Sequence, residues 1–226
     1  MVVPDNRVGT TTKTRGQSTV ATSLRYMART TRWFTETEEG HSQWYIDRFR
    51  TMAAEGADLT GEARLMDAML PRAARVLDAG CGPGRLSGEL YQRGHQVVGV
   101  DVDPALIEAA AQDHPGPTYA VADLAELDLP ELGIDEPFDA AVLAGNVMWF
   151  VAPDSETDVL SSVAHHVVAD GFVIVGFGLG RGLTLTQFDQ HVAAAGLRVE
   201  HRFATWDLKA WSEEADFAVS VLRHQD

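Results

Sequence analysis

Two hydrophobic periods divide this chain. From Trp33 to about Leu70 the apolar positions recur every three or four residues. Trp44, Tyr45, Arg48, Phe49 and Met52 share one face of a predicted helix that Gly56 stops. A second helix is expected over about 60–70, with Leu65, Met66, Met69 and Leu70 as its stripe and Pro71 at its end. From residue 73 onward short apolar runs alternate with amphipathic stretches. Strands are predicted at 75–78, 96–101, 118–122, 138–143 and 172–177. Helices fall between them at about 85–93, from Asp103-Pro104 to before Pro115, at about 155–168 and at about 184–195. Gly94 and Gly196 serve as stops, Asp103 as an N-cap, and Asp170-Gly171 as the break after the third of these helices. Residues 127–137 read as an acidic loop. Two β-like segments, 198–203 and 217–222, close the chain with no strong helix between them, which suits a hairpin. Alternating strands and helices imply a parallel sheet covered on both faces, and the unbroken apolar run at 138–143 fits a strand buried on both sides.

The chemistry concentrates where the first strand ends. Val76-Leu77 runs into Asp78 and then Gly80-Cys81-Gly82-Pro83-Gly84, ahead of a helix. Glycines in such a turn let a ligand approach the backbone closely and aim helix-terminal N–H groups at it. The next strand ends in Asp101, an acid about 20 residues after the glycine turn, where it can accept both hydroxyls of a ribose. A nucleoside-containing cofactor lying across the carboxyl ends of the sheet is the reading. The G-x-G-x-x-G pattern of dinucleotide sites puts its third glycine at position 85, which is Arg85 here, and a bulky residue there argues against NAD or FAD.

The stretch V-L-D-x-G-C-G-x-G resembles motif I of the class I S-adenosylmethionine-dependent methyltransferases, and the resemblance extends over about 73–226. It implies an α/β fold: a Rossmann-like doubly wound sheet of about seven strands, mostly parallel, with the last strand antiparallel between the fifth and sixth. It implies S-adenosyl-L-methionine as cofactor, and N-terminal helices over 33–72 that cover the site. It places the backbone of Gly80, Cys81, Gly82 and Gly84 along the amino-acid tail with Asp78 nearby. Asp101 falls on the ribose, with Val102 beside it. Asp123 falls on the adenine amino group, with the backbone N–H of Leu124 on a ring nitrogen. Ala144, Asn146 and Met148 fall at the middle of the rim, near the sulfonium. Asp123 is also a plausible turn cap. Arg85 answers either a carboxylate of cofactor or substrate, or a surface acid. Cys81 reads as a small loop residue rather than a nucleophile. The alternating Gly176, Gly178, Gly180 and Gly182 read as a flexible loop after the fifth strand and a mobile wall of the substrate site.

Methyl transfer from a sulfonium is an in-line displacement that needs positioning, and a general base only when the acceptor must lose a proton. His41 and Tyr45, one helical turn apart, are the candidates for that role. Trp149, Phe150, Trp206 and Trp211 are available for an apolar acceptor pocket, or for the core. Two other functions share parts of the pattern. A non-catalytic protein that binds S-adenosylmethionine or S-adenosylhomocysteine and regulates a partner has the same cofactor half. A nucleotide-dependent oxidoreductase is disfavoured by Arg85.

Charge narrows the acceptor. Across 226 residues, 18 Lys and Arg stand against 33 Asp and Glu, a net charge of −15. Phosphate neutralisation supplies most nucleic-acid affinity, so nucleic acid is a poor acceptor and a small molecule the better one. The D/N-P-P-Y/F/W signature of nucleic-acid N-methylation is absent, since the fourth strand ends Ala144-Gly145-Asn146-Val147, and no Pro-Cys pair suggests C5-cytosine chemistry. Residues 1–32 differ: Arg7, Lys13, Arg15, Arg25, Arg29 and Arg32 face Asp5 alone, a net +5 that leaves −20 elsewhere. They read as a disordered basic extension, with a transit peptide or a basic arm as sharper alternatives. One cysteine, Cys81, rules out an internal disulfide and a Cys-based zinc site, and no metal is expected. With no apolar run of membrane-spanning length and no secretory signal, the expectation is a cytoplasmic monomer or homodimer without membrane contact.

Overall fold

The computed structural model describes residues 30–180 and 182–225. Seven strands form one sheet: β1 Arg75–Ala79, β2 Gln96–Asp101, β3 Thr118–Val121, β4 Phe138–Leu143, β5 Val167–Gly178, β6 Leu197–Phe203 and β7 Phe217–His224. Their order is β3-β2-β1-β4-β5-β7-β6. β1 to β5 pair in parallel, and β7 runs antiparallel between β5 and β6, with Ile174 opposite Val221. The expected class, strand count and inserted last strand are all present. The order reverses between β1 and β4, and the crevice outside the carboxyl ends at such a reversal is where open α/β sheets hold ligands.

Eight helices accompany the sheet among the described residues: α1 Arg32–Thr35, α2 His41–Ala54, α3 Gly61–Met69, α4 Arg85–Gln92, α5 Pro104–Asp113, α6 Val147–Phe150, α7 Glu156–His165 and α8 Leu185–Ala194. Strand alternation sorts the core into two layers. Leu77, Ala141, Leu143, Val173 and Val175 pack with Leu160, Val163 and Phe188 on one face. Val76, Ala140, Val142 and Ile174 pack with Met66, Leu86 and Leu90 on the other. Each such Leu, Val or Phe contributes about 1.5–3 kcal/mol by leaving water. Asp103 caps α5 by accepting from the Ala105 N–H at 2.9 Å, with Pro104 as the first helical residue. Thr184 and Gln187 close a capping box on α8. No helix among the described residues is long and apolar enough to cross a membrane.

Three boundaries depart from expectation. The helix expected over 155–168 ends at His165, and β5 begins at Val167 rather than 172. Asp170-Gly171 is no helix stop; it lies inside β5, where the register against β4 shifts between Phe138 and Ala140. A Cβ on Gly171 would meet the Asp139 carbonyl oxygen at 2.6 Å, so this glycine serves a close backbone approach in a bulge. The extension expected through residue 32 is shorter at its described end, because Thr31 is buried and Arg32 opens α1. The remainder of that extension, residues 1–29, lies outside the described residues. The glycine run after the fifth strand is also divided. Gly176 and Gly178 belong to β5, and Gly176 makes room for the Trp206 ring.

Candidate functional site

The loop after β1 is bound to β2 by its backbone. Gly80 and Cys81 donate to the Val100 carbonyl at 2.8 and 3.0 Å. Gly82 donates to Asp101 Oδ2 at 2.9 Å, and Asp103 N–H reaches Asp101 Oδ1 at 3.0 Å. Each Asp101 oxygen therefore holds a backbone donor, and the Val102 amide also bonds the carboxylate. Burial pushes its pKa up to about 6, against the pull of the Asp103 and Gly82 amides. Asp78 is buried too, accepts from Ser87 Oγ at 2.6 Å, and is likewise pushed up to about 6 by burial. Gly80 has φ +81°, and a Cβ there would lie 2.5 Å from a Val147 methyl carbon. The sequence needs glycine here because the loop packs directly on the turn after β4.

A cavity opens over this rim. Gly80, Gly82, Asp101, Val102, Asp123, Leu124 and Ala144 line its floor. Asp123 Oδ1 accepts from the Ala125 N–H at 2.9 Å, so one oxygen caps the turn while the residue still lines the cavity. The two roles weighed for Asp123 are compatible because a carboxylate has two oxygens. Val147, Phe150 and Val151 complete the β4 side, and Thr31, Trp33 and Tyr45 supply the opposite wall. His41 packs against Trp33 at 4.8 Å between ring centroids but does not line the cavity.

Several residues expected at the site are engaged elsewhere. Asn146 is left-handed, with φ +67°, and its Oδ1 accepts from the Gly178 N–H at 2.7 Å, tying β4's end to β5's. The chain then turns into α6, which sends Met148 into the core at 1% exposure. A strand-like alternation through 144, 146 and 148 fails because the backbone becomes helical at residue 147. Arg85 bonds the Leu59 carbonyl at 2.6 Å and pairs with Glu62, and it opens onto a separate cleft of about 560 Å³. Its guanidinium is thus spent on an acid of α3. Cys81 is buried, and burial pushes its thiol well up, so it is no nucleophile. Gly182 makes room for the Trp149 ring.

Two sets of contacts hold the cover segment across the cavity. Arg32 donates to the carbonyls of Trp149 and Val151 at 3.4 and 3.3 Å, pairs with Glu156 at 3.1 Å, and lies over the Trp149 ring. Trp33 Nε1 donates to Asp103 Oδ2 at 2.8 Å, and Ser42 Oγ donates to the same oxygen. Trp33 also meets Tyr45 and Phe150 edge-on, at 5.5 and 5.2 Å between centroids. The sequence missed Thr31 and Arg32 because the composition of residues 1–32 masked a Thr-Arg-Trp helix start. Asp103→Ala removes an N-cap and leaves the buried Trp33 donor and the half-buried Ser42 donor unpaired. We expect it to cost about 2–3 kcal/mol in urea unfolding and to speed amide exchange within residues 31–54.

A family profile described as a methyltransferase domain matches residues 76–171. The solved structure of a TehB-like SAM-dependent methyltransferase from Corynebacterium glutamicum is 43% identical, with 83% of this chain and 100% of that one covered and a TM-score of 0.77. The magnesium-protoporphyrin O-methyltransferase of Rhodobacter capsulatus is 34% identical over 117 residues, 48% of this chain and 49% of its own length, so the chain matches about half of that relative. A Burkholderia thailandensis 1,6-didemethyltoxoflavin-N1-methyltransferase, solved with 1,6-didemethyltoxoflavin and S-adenosylhomocysteine, shares the fold at 21% identity and TM-score 0.57, over 84% of this chain and 92% of that one.

Proposed function

The chain belongs to the class I S-adenosylmethionine-dependent methyltransferases, and from that premise we propose that it methylates a small-molecule acceptor under the aromatic cover of α1 and α2. The observation that carries this reading is the cavity wall: Trp33, Tyr45 and Phe150 face Asp101 and Asp123, and no Lys, Arg or His among the described residues lines it. A cavity wall without cations among the described residues, in a chain of net charge −15, is poorly matched to a phosphate backbone. The porphyrin and toxoflavin methyltransferases that resemble the chain support an acceptor of that size. The oxidoreductase alternative falls with family membership.

The residues present suit the cofactor. A glycine loop that a Cβ would fill, a buried carboxylate, and a second carboxylate with a free oxygen match an amino-acid tail, a ribose and an adenine amine. Asp101 accepts the ribose hydroxyls, Asp123 the adenine amine, and the Leu124 N–H donates to a ring nitrogen. The backbone of residues 80–84 and Ala144 flank the tail. When bound, S-adenosylmethionine supplies an electrophilic methyl group on a good leaving group. Tyr45 orients rather than deprotonates, since burial raises its pKa above the ordinary 10 and keeps the phenol protonated at neutral pH. His41 supports the Trp33 and Tyr45 rings.

Incubation of the protein and a cell extract with methyl-labelled S-adenosylmethionine tests the acceptor class. Label is expected in the small-molecule fraction; label confined to nucleic acid or protein overturns the reading. A pH series gives a second check. Asp101 must be ionised to accept two hydroxyl donors, and its pKa lies at about 6. S-adenosylhomocysteine affinity is therefore expected to be level above about pH 7 and to fall, by as much as about tenfold per pH unit, below about pH 6. Calorimetry from pH 5 to 8 reads it.

A further inference from the structure

We propose that Thr31 is a cofactor-binding residue whose hydroxyl donates to the adenosine half of S-adenosylmethionine, carried into the site by the cover segment. The inference rests on the functional reading above and adds a contact to it. Thr31 lines the cavity and is 6% exposed, yet its Oγ1 has no hydrogen-bond partner among the described residues. It stands at the N-cap of α1, where a threonine hydroxyl ordinarily accepts from the N–H two or three residues on, and it makes no such bond. Thr60, Asn146 and Ser155 also cap helices without that bond, but their side chains bond Asp58, the Gly178 N–H and the Ala152 carbonyl instead. A hydroxyl buried without a partner costs free energy, so one found at a ligand cavity points to a partner that the ligand brings.

Its surroundings indicate which part of the ligand that is. The Arg32 N–H meets the Val151 carbonyl at 3.4 Å, which sets Thr31 beside the turn after β4. Two residues on, the Trp33 indole is bonded to Asp103, whose own N–H holds Asp101. The segment thus crosses from the β4 side of the cavity to the ribose acid. Adenine presents three ring nitrogens that accept hydrogen bonds, and the Leu124 N–H serves one of them. An O–H donor is what the remaining acceptors lack. The sequence signalled none of this, because a lone Thr in a Thr-rich stretch carries no pattern.

The test compares wild type, Thr31→Val and Thr31→Ser, using S-adenosylhomocysteine and 5′-methylthioadenosine, which keeps the adenosine but lacks the amino-acid tail. Calorimetry gives the affinities and thermal unfolding gives the unliganded stability. We expect Thr31→Val to bind both ligands about tenfold more weakly, the effect of one buried hydrogen bond. Its unliganded melting temperature should stay level or rise by about 2 °C, since an unpaired hydroxyl has gone. Thr31→Ser should stay within about threefold of wild type in affinity, having kept the donor. Unchanged affinity in Thr31→Val, or a loss for S-adenosylhomocysteine alone, overturns the proposal. So does a melting temperature that falls without ligand, which marks a structural hydroxyl. Failure of the wild type to bind S-adenosylhomocysteine removes the functional reading itself, and this contact with it.

Discussion

Asp101→Ala is expected to weaken S-adenosylhomocysteine binding by about 100- to 20,000-fold while the protein still folds. The arithmetic comes from the carboxylate's bonds. Two ribose hydroxyls donating to an ionised acceptor contribute about 1.5–3 kcal/mol each, and each 1.4 kcal/mol is tenfold in affinity. The loop suffers as well, because Asp101 Oδ2 anchors the Gly82 amide and Oδ1 the Asp103 amide. Folding should survive because burial already penalises this carboxylate, raising its pKa to about 6, and its removal relieves that penalty. Asp101→Asn keeps one acceptor oxygen and has no charge to lose. It should bind with intermediate affinity and lose the fall below pH 6. Calorimetry on the three proteins, with circular dichroism as the check on folding, decides it. A wild-type affinity in Asp101→Ala excludes this residue from the site.

Gly84→Val should lower the melting temperature by about 4–24 °C and abolish cofactor binding. Gly84 is the N-cap of α4 at φ +81°, a conformation that β-branched residues avoid. A Cβ there would lie 2.7 Å from the Ala110 Cβ, 3.1 Å from the Ala110 Cα and 2.8 Å from the Tyr119 hydroxyl oxygen. Strain of about 1–3 kcal/mol and overpacking of about 1–3 kcal/mol add, and 1 kcal/mol shifts the melting point of a domain this size by about 2–4 °C. Gly94→Ala is the control. Its φ is +95° but nothing lies within 4 Å of the new Cβ, so it should lose only the backbone part, about 1 kcal/mol. Equal losses at the two positions would show that α5 does not press on the loop.

Much of the fold was legible because its signals are local. Glycine and proline punctuation, strand-length apolar runs and the Asp103-Pro104 cap all act within a few residues, and they located the strands to within a residue or two. β5 is the exception. Asp170-Gly171 carries the same letters whether it stops a helix or bulges a strand, and the choice rests on the Asp139 carbonyl pressing from β4. Val97 to Val100 and the acid that ends them were enough to set Asp101 beside the glycine loop, because adjacent parallel strands leave no other place for it.

The sequence by itself determined the alternation of strands and helices and set Asp101 beside the glycine loop, and the resemblance of that loop to motif I supplied the cofactor. The first two follow from backbone conformation and from period, which a chain cannot hide. The tertiary structure alone decided which side chains complete the cavity. Met148 turns into the core and Val147, Phe150 and Val151 line the cavity because Asn146, bonded to Gly178 across 32 residues, starts a helical turn there. Arg85 went to Glu62, and Thr31 and Trp33 came to the cavity through Glu156 and Asp103. Those partners lie tens to more than a hundred residues apart, and their pairing exists only after the sheet has closed and burial has set the cost of leaving any of them alone.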